Sequence, residues 1–489
     1  MSILSQSVKF IGKAAAIMLL PLLAWSCQWV HDDYDDETTD DNATQYINIT
    51  ISVSADNNPV TRSPQGGEYG DGAEKGIDRE YAVNDVTLIF YQDNSGINTA
   101  SDDAKVLCVK KYAVRPFDES NDLPNSHSHK TGETTAGEVL YTTGKQKLSE
   151  TTLEVGKTYK VLVVANADVA INVGDKIKDI RDKVLGSIYT GTGKGTDAAS
   201  FVMTSESDAT VELKNPTIET EANENRFIYY FNCIHMERLA ARIDFLASGA
   251  TYSADTYDHN GCVYNVTGST TDKFVLTSIQ LFNINDGNEY LFKRTNDATN
   301  PYLADETTTN WVVDPNTALK TAAAHPAYIT STLTSVAASG TFDVTMSGQQ
   351  SNKLAISGSD DIIIGYAKEN TITASTPYYY YATGLAFEGY YYKNGATTGG
   401  QRRVYYHFIR HQGEKETAYD AMTATDLEDF DKNSTIGNNG TPMNFGIVRN
   451  NIYRIQIGSI KADEDDEVKV TLHIKVKKWD LFEHDTIYM

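Results

Sequence analysis

Cys27 is the side chain best placed for chemistry. It follows Lys9 and Lys13, an apolar run from Ala14 to Trp25, and the small residue Ser26. A basic start, a short apolar core and a small residue at the stop form an export signal. The run is too short to cross a bilayer, which takes roughly 20 residues. Ser26-Cys27 resembles a bacterial lipobox, with a bulky Trp25 and with Leu23 one place further from the cysteine than usual. The chemistry implied is lipidation of the Cys27 thiol, which makes the mature chain anchored rather than spanning. The alternatives are an uncleaved membrane anchor or ordinary signal cleavage nearby. The second reactive position is the peptide bond between Arg62 and Ser63. It lies in a polar stretch, Ser63 to Gly76, rich in Gly, where the backbone can enter a protease. Pro64 stands two residues past the arginine. Arg79 is the runner-up cut site, and the bland alternative is that Arg62 is a solvated loop arginine.

Other reactive residue types do not converge. His127-Ser128-His129 could chelate a metal, but no further ligand cluster is near it in sequence. Gly191-Thr192-Gly193-Lys194-Gly195 lacks the Gly-Lys-Ser/Thr order of a phosphate loop and a buried strand before it, so it reads as a flexible loop. The His-Glu-x-x-His and Gly-x-Ser-x-Gly patterns are absent, and nothing points to a cofactor. The many Asp and Glu residues leave a carboxylate pair for glycoside hydrolysis open. Tyr378–Tyr381 and Tyr390–Tyr392 could stack on sugars. The plainer expectation is that they cover a sheet with their hydroxyls in water.

The elements that must position these residues are strands. The chain has 489 residues, enough for two or three domains, and carries 30 Tyr. Tyr and Thr are strand formers. The net charge of −24 argues against nucleic-acid binding and against a broad basic membrane patch. Excluding Cys27, the cysteines are Cys108, Cys233 and Cys262, an odd number at wide spacing that makes no disulfide framework.

Ile47, Ile49, Ile51 and Val53 alternate with Asn48, Thr50 and Ser52, which predicts a half-buried strand over Tyr46–Val53. Further strands are expected at Asp85–Tyr91, Tyr159–Val164, Phe201–Ser205, Ala209–Leu213 and Phe227–Phe231. Asp175–Leu185 has helical spacing through Ile177, Ile180 and Val184. Asp118–Glu138 reads as a long surface loop, and Pro216–Asn225 as an acidic join before a second domain that opens near Met236–Phe245. Strands then come at Phe274–Asn283, Asp361–Tyr366, Tyr378–Phe387, Arg403–Ile409 and Asn451–Ile457. In Val468–Val476 every second residue is apolar and the rest are Lys, Thr or His, the mark of a half-buried strand. Two antiparallel β-sandwich domains with long polar loops fit this spacing.

Several stretches, in order, resemble one family. They are Gly70-Asp71-Gly72 with Glu74–Ile77 and Val86–Phe90, then Tyr159–Ala167 and Phe201–Ser205. Glu237–Asp244, Gly365–Thr371 and Phe445–Tyr453 continue the series, and the terminal strand ends at Trp479. The resemblance covers essentially the whole chain and is to the fimbrillin family, the major fimbrial subunits of type V pili of the Bacteroidales. The insertions Asp118–Glu138 and Thr307–Gly358 depart from its pattern. The acidic run His31–Glu37 also resembles the export tag of surface lipoproteins in that order; physically it is a solvated tether.

The resemblance implies an all-β fold of two tandem transthyretin-like β-sandwich domains. It divides the chain into a signal peptide 1–27, an acidic tether 28–44, a removable N-terminal strand 45–62, a first domain 63–232 and a second domain 233–489. It further implies a lipoprotein precursor on the outer membrane, cut after an arginine by an arginine-specific protease. The vacated groove then takes a strand from 468–489 of another subunit, and the product is a surface fimbria acting in adhesion. Partners would be copies of itself, related subunits and the protease. Burying Ile47, Ile49, Ile51 and Val53 in that groove is worth at most roughly 6–12 kcal/mol. An opened groove is a template for another strand, and head-to-tail filling makes open filaments. Whether Val468–Val476 or Leu481–Met489 inserts is open. The alternatives are a tip, accessory or anchor fimbrillin that binds a partner, and a non-polymerising glycan-binding surface lipoprotein or hydrolase.

Overall fold

The computed structural model describes residues 44–48, 50–52, 73–75, 80, 82–92, 103–116, 140–143, 146–147, 153–154, 156–190, 200–206, 208–213, 226–230, 234–247, 250–296, 311–320, 329–330, 354–355, 362–372, 381–409, 419–420, 422–423, 445–462 and 468–480. The regular structure in these residues is nearly all strand, joined by turns and irregular stretches, with a short helix, Ile177–Arg181, and a 3-10 turn, Thr317–Leu319.

The buried apolar residues form two principal clusters. The first lies on a nine-stranded sheet. Its order is Val106–Ala113, Asp85–Tyr91, Lys157–Ala165, Met203–Ser205, Ile234–Arg238, Thr50–Ser52, Leu140–Thr142, Arg115–Pro116, with Ala209–Leu213 also paired to Lys157–Ala165. Val86–Tyr91 and Tyr159–Ala165 are buried at every position, so both faces are covered and neither strand shows an alternating pattern.

The second cluster fills the space between two sheets. One is six-stranded: Ile362–Ala367, Ala241–Leu246, Asn451–Ala462, Val468–Asp480 and Tyr419–Asp420, with Ala73–Lys75 added to Val468–Asp480. The other is seven-stranded and centred on Lys273–Phe282, Gly384–Tyr392 and Gln401–Phe408. Phe245 from one sheet meets Phe387 from the other at 6.0 Å between ring centroids. Gly261 permits a close strand approach, since a Cβ there would fall 2.1 Å from the Leu276 carbonyl oxygen. Cys108 and Cys262 are both buried, one in each cluster.

Several expectations need correcting. The helix expected over Asp175–Leu185 is only Ile177–Arg181, and Val184–Leu185 is a strand paired with Glu289–Tyr290. Phe201–Ser205 is not one strand. It breaks at Val202, whose N–H bonds the Ile188 carbonyl and whose carbonyl accepts from Leu239. The apolar block Met236–Phe245 is two strands, Ile234–Arg238 and Ala241–Leu246, in different sheets. The strand expected from Tyr378 begins at Gly384 and runs through the second tyrosine group. Those tyrosines are not simply wetted: Tyr391 and Tyr392 are buried and donate to Asp272 and Asp258.

Candidate functional site: the N-terminal strand and its groove

Upstream of Arg62 the single strand expected over Tyr46–Val53 is two elements: Thr44–Asn48, the middle of a three-stranded sheet, and Thr50–Ser52, an interior strand of the nine-stranded sheet. Thr44–Asn48 runs parallel to Arg226–Tyr230 on one side and antiparallel to Gln146–Lys147 on the other. Thr50–Ser52 continues it, parallel to Ile234–Arg238 and antiparallel to Leu140–Thr142. In register, Ile51 stands between Ile234 and Tyr141. Ile51 is fully buried, and all three side chains belong to the first core. The alternation read from the sequence therefore puts at least Ile51 inward. Ile49, Val53 and the side chain of Ile47 lie outside the described residues.

In the sheet order, Thr50–Ser52 is the element that joins Ile234–Arg238 to Leu140–Thr142. Without it, the facing backbone groups of both neighbours lose their partners, and an Ile-sized apolar gap opens between Tyr141 and Ile234. Unpaired buried backbone groups cost roughly 1–3 kcal/mol each, so the gap favours any strand able to refill it. The groove wall is otherwise well held. Burial is the largest influence raising the Tyr141 pKa, opposed by a hydrogen bond with the Val83 backbone and the charge of Arg238.

Arg238 ends one wall of the groove and ties it to the junction of the two cores. Its Nε donates to the Glu80 carbonyl at 2.6 Å and its Nη1 to Asn450 Oδ1 at 3.1 Å. The Glu80 side chain accepts from Arg242 at 2.9 Å and from the Tyr366 hydroxyl, and Arg242 also pairs with Asp244. Glu80, Arg242 and Asp244 are all buried. Desolvation would lower the Arg242 pKa, but Asp244 and Glu80 together pull it above its ordinary value. Beside this cluster, Arg449 pairs with Glu369 and Glu289, and Lys293 with Glu237. Sequence reading missed this charged junction, because its members are scattered between Glu80 and Arg449.

The chain is thus tied down already within the stretch read as a polar linker. Ala73–Lys75 pairs in parallel with Lys478–Asp480, and Glu80 is locked as above. At the far end, Val468–Asp480 pairs along its length with Asn451–Ala462. Cys27, Arg62, Ser63, Arg79, His127–His129, Gly191–Gly195 and Leu481–Met489 lie outside the described residues. Among the described residues no group of His, Cys, Asp and Glu is arranged to hold a metal ion, and no helix is long and apolar enough to cross a membrane.

No family model matches the chain, and no curated protein matches it. Solved structures do. A candidate cell adhesion protein from Parabacteroides distasonis has a TM-score of 0.45 at 13% identity, covering 89% of this chain and 100% of its own. The fimbrilin FimA from Porphyromonas gingivalis has a TM-score of 0.37 at 13% identity, covering 90% of this chain and 99% of its own. The tip fimbrial protein Mfa3 from the same species, with a C-terminal truncation, has a TM-score of 0.36 at 10% identity, covering 89% and 100%.

Proposed function

We propose that this protein is a fimbrillin-type structural subunit of a surface fimbria, not an enzyme, and that it serves adhesion. It is exported as a lipoprotein precursor through Cys27, cut between Arg62 and Ser63, and polymerised on the outer membrane by strand exchange with copies of itself and related subunits. The two core clusters are read as two tandem transthyretin-like β-sandwich domains, with Ile234–Arg238 still in the first and Ala241–Leu246 opening the second. The observation that carries the reading is the position of Thr50–Ser52: a strand upstream of the candidate cut fills an interior place in the nine-stranded sheet, preceded by Thr44–Asn48 at the centre of a separate three-stranded sheet. A removable strand there leaves a groove shaped for another.

The residues downstream of each arginine favour Arg62 over Arg79. A cut at Arg62 frees Thr44–Ser52 and leaves Ala73–Lys75 paired with Lys478–Asp480. A cut at Arg79 would release that pairing too. It would also place a new ammonium on Glu80, a fully buried residue already committed to Arg242, Arg238 and Tyr366. Burying an extra charge there costs several kcal/mol.

The test is reconstitution. Purified precursor treated with an arginine-specific endoprotease is expected to lose the segment ending at Arg62 and to form SDS-resistant ladders. A chain ending at Ala462 should be cut and yet form no ladder, and a chain ending at Asp480 tells whether the last residues alone donate. Ladders from the Ala462-terminated chain would overturn the strand-exchange reading.

A further inference from the structure

Away from the groove, one buried lysine is placed for covalent chemistry. Lys320 closes the segment Trp311–Lys320, and Asn370 lies just beyond the strand Ile362–Ala367. The Lys320 Nζ lies 2.7 Å from Asn370 Oδ1, 2.6 Å from Asp314 Oδ2 and 2.6 Å from the Thr371 carbonyl. The side chains of Lys320 and Asp314 are both fully buried, and Asn370 is fully buried too.

The amide is oriented by its surroundings. Asn370 Nδ2 donates to the Tyr381 carbonyl at 2.6 Å, to Thr383 Oγ1 at 2.8 Å and to the Asn283 carbonyl at 3.1 Å. Flipping the amide would set its oxygen against two carbonyl oxygens, so Oδ1 must face Nζ. The backbone is fixed as well, by reciprocal bonds between Asn370 and Ile447. Asp314 is held by the N–H groups of Thr371 and Asn316, each at 2.8 Å. An amine, an amide carbonyl and a carboxylate are therefore locked together out of water. Burial pushes the Lys320 ammonium pKa down, against the pull of Asp314.

We propose that Lys320 and Asn370 become joined by an intramolecular isopeptide bond, with Asp314 carrying the proton. Asp314 takes a proton from the Lys320 ammonium, and the freed Nζ lone pair attacks Asn370 Cγ. Asp314 returns a proton to Nδ2, the Cγ–Nδ2 bond breaks and ammonia leaves. The remaining extra proton on Nζ passes to Asp314. Lysine ammonium, carboxylate and amide thus give a secondary amide, a neutral carboxylic acid and ammonia, with atoms and charge balanced. No oxidant or cofactor enters. Fixed reactants of this kind reach effective concentrations of about 10⁵–10⁸ M, and exclusion of water removes the competing hydrolysis. The link closes a loop of 50 residues and staples Trp311–Lys320 to the exit of Ile362–Ala367. The proposal stands independently of the fimbrial reading.

Peptide mapping of the full chain, denatured and digested with trypsin, tests it. Trypsin does not cut after an acylated lysine. The expected product is a branched peptide joining the segment through Lys320 to the segment holding Asn370, lighter than the two together by one ammonia. Asp314→Ala, with Lys320 and Asn370 retained, should lose the branch. Quantitative cleavage after Lys320 in the wild type, with Asn370 in a linear peptide as an intact amide, would overturn the proposal. The wild-type map decides even where the variant fails to fold.

Discussion

Replacing Ile51 by alanine in the uncut precursor should loosen the N-terminal strand far more than the rest of the molecule. Ile51 is fully buried in the first core, between Tyr141 and Ile234 in register. Truncating a buried isoleucine to alanine costs about 2–5 kcal/mol, including the cavity it leaves. At 1.4 kcal/mol per tenfold, local opening of the strand should rise by about 30- to 4,000-fold. Hydrogen exchange read by mass spectrometry or NMR reports this directly. Exchange should accelerate in Thr50–Ser52 and in its neighbour Leu140–Thr142, because each loses its ladder partner when the strand lifts. Lys273–Phe282, in the other core, should keep its protection. Unchanged exchange at Thr50–Ser52, or equal acceleration in both cores, would refute the claim that this strand is a separable insert.

Other perturbations probe the junction and the sheets. Arg242→Met leaves Glu80 and Asp244 buried without their cation, and should cost about 3–5 kcal/mol in denaturant unfolding. Burial raises the Glu289 carboxyl above its ordinary range, against the opposing charge of Arg449. A carboxyl raised in the folded state favours folding below its unfolded pKa and loses that contribution as pH rises through its folded value. Glu289→Gln should therefore flatten the decline in stability from acid towards neutral pH, seen in unfolding curves across that range. Asp272 has the opposite sign: the Asn394 amide and the Tyr391 hydroxyl hold it below the usual carboxylate range. Its contribution is present at neutral pH and fades as pH falls through the folded value, so Asp272→Asn should lower stability at pH 7 and leave it little changed in strong acid. Gly261→Ala, which drives a Cβ into the Leu276 carbonyl, should cost about 1–3 kcal/mol in thermal or denaturant unfolding.

The sequence was most legible where a period of two is local. The alternation in Val468–Val476 marks a strand that extends to Asp480, and the alternation around Ile51 marks the N-terminal strand. Val184 fitted a helical period with Ile177 and Ile180, but its backbone is claimed by Tyr290 across a long separation, which no local pattern reports. The charged junction was hidden for the same reason: Arg242 and Glu80 are 162 residues apart in sequence. Solvation was misjudged for Tyr391 and Tyr392 because adjacent strand residues face opposite sides of a sheet, and here Asp272 and Asp258 meet one hydroxyl each. In the groove, the inserted segment could be read from its own residues. Its walls, Leu140–Thr142 and Ile234–Arg238, come from distant parts of the chain and emerge only in the fold.

Cutting and strand exchange are tested together by mass spectrometry of protein sheared from the cell surface, for the wild type and for Arg62→Ala. The expected wild-type product is a chain beginning at Ser63 within high-mass, SDS-resistant ladders, with both lost in the variant. A chain still beginning at a lipidated Cys27, with no ladder, would contradict the mechanism.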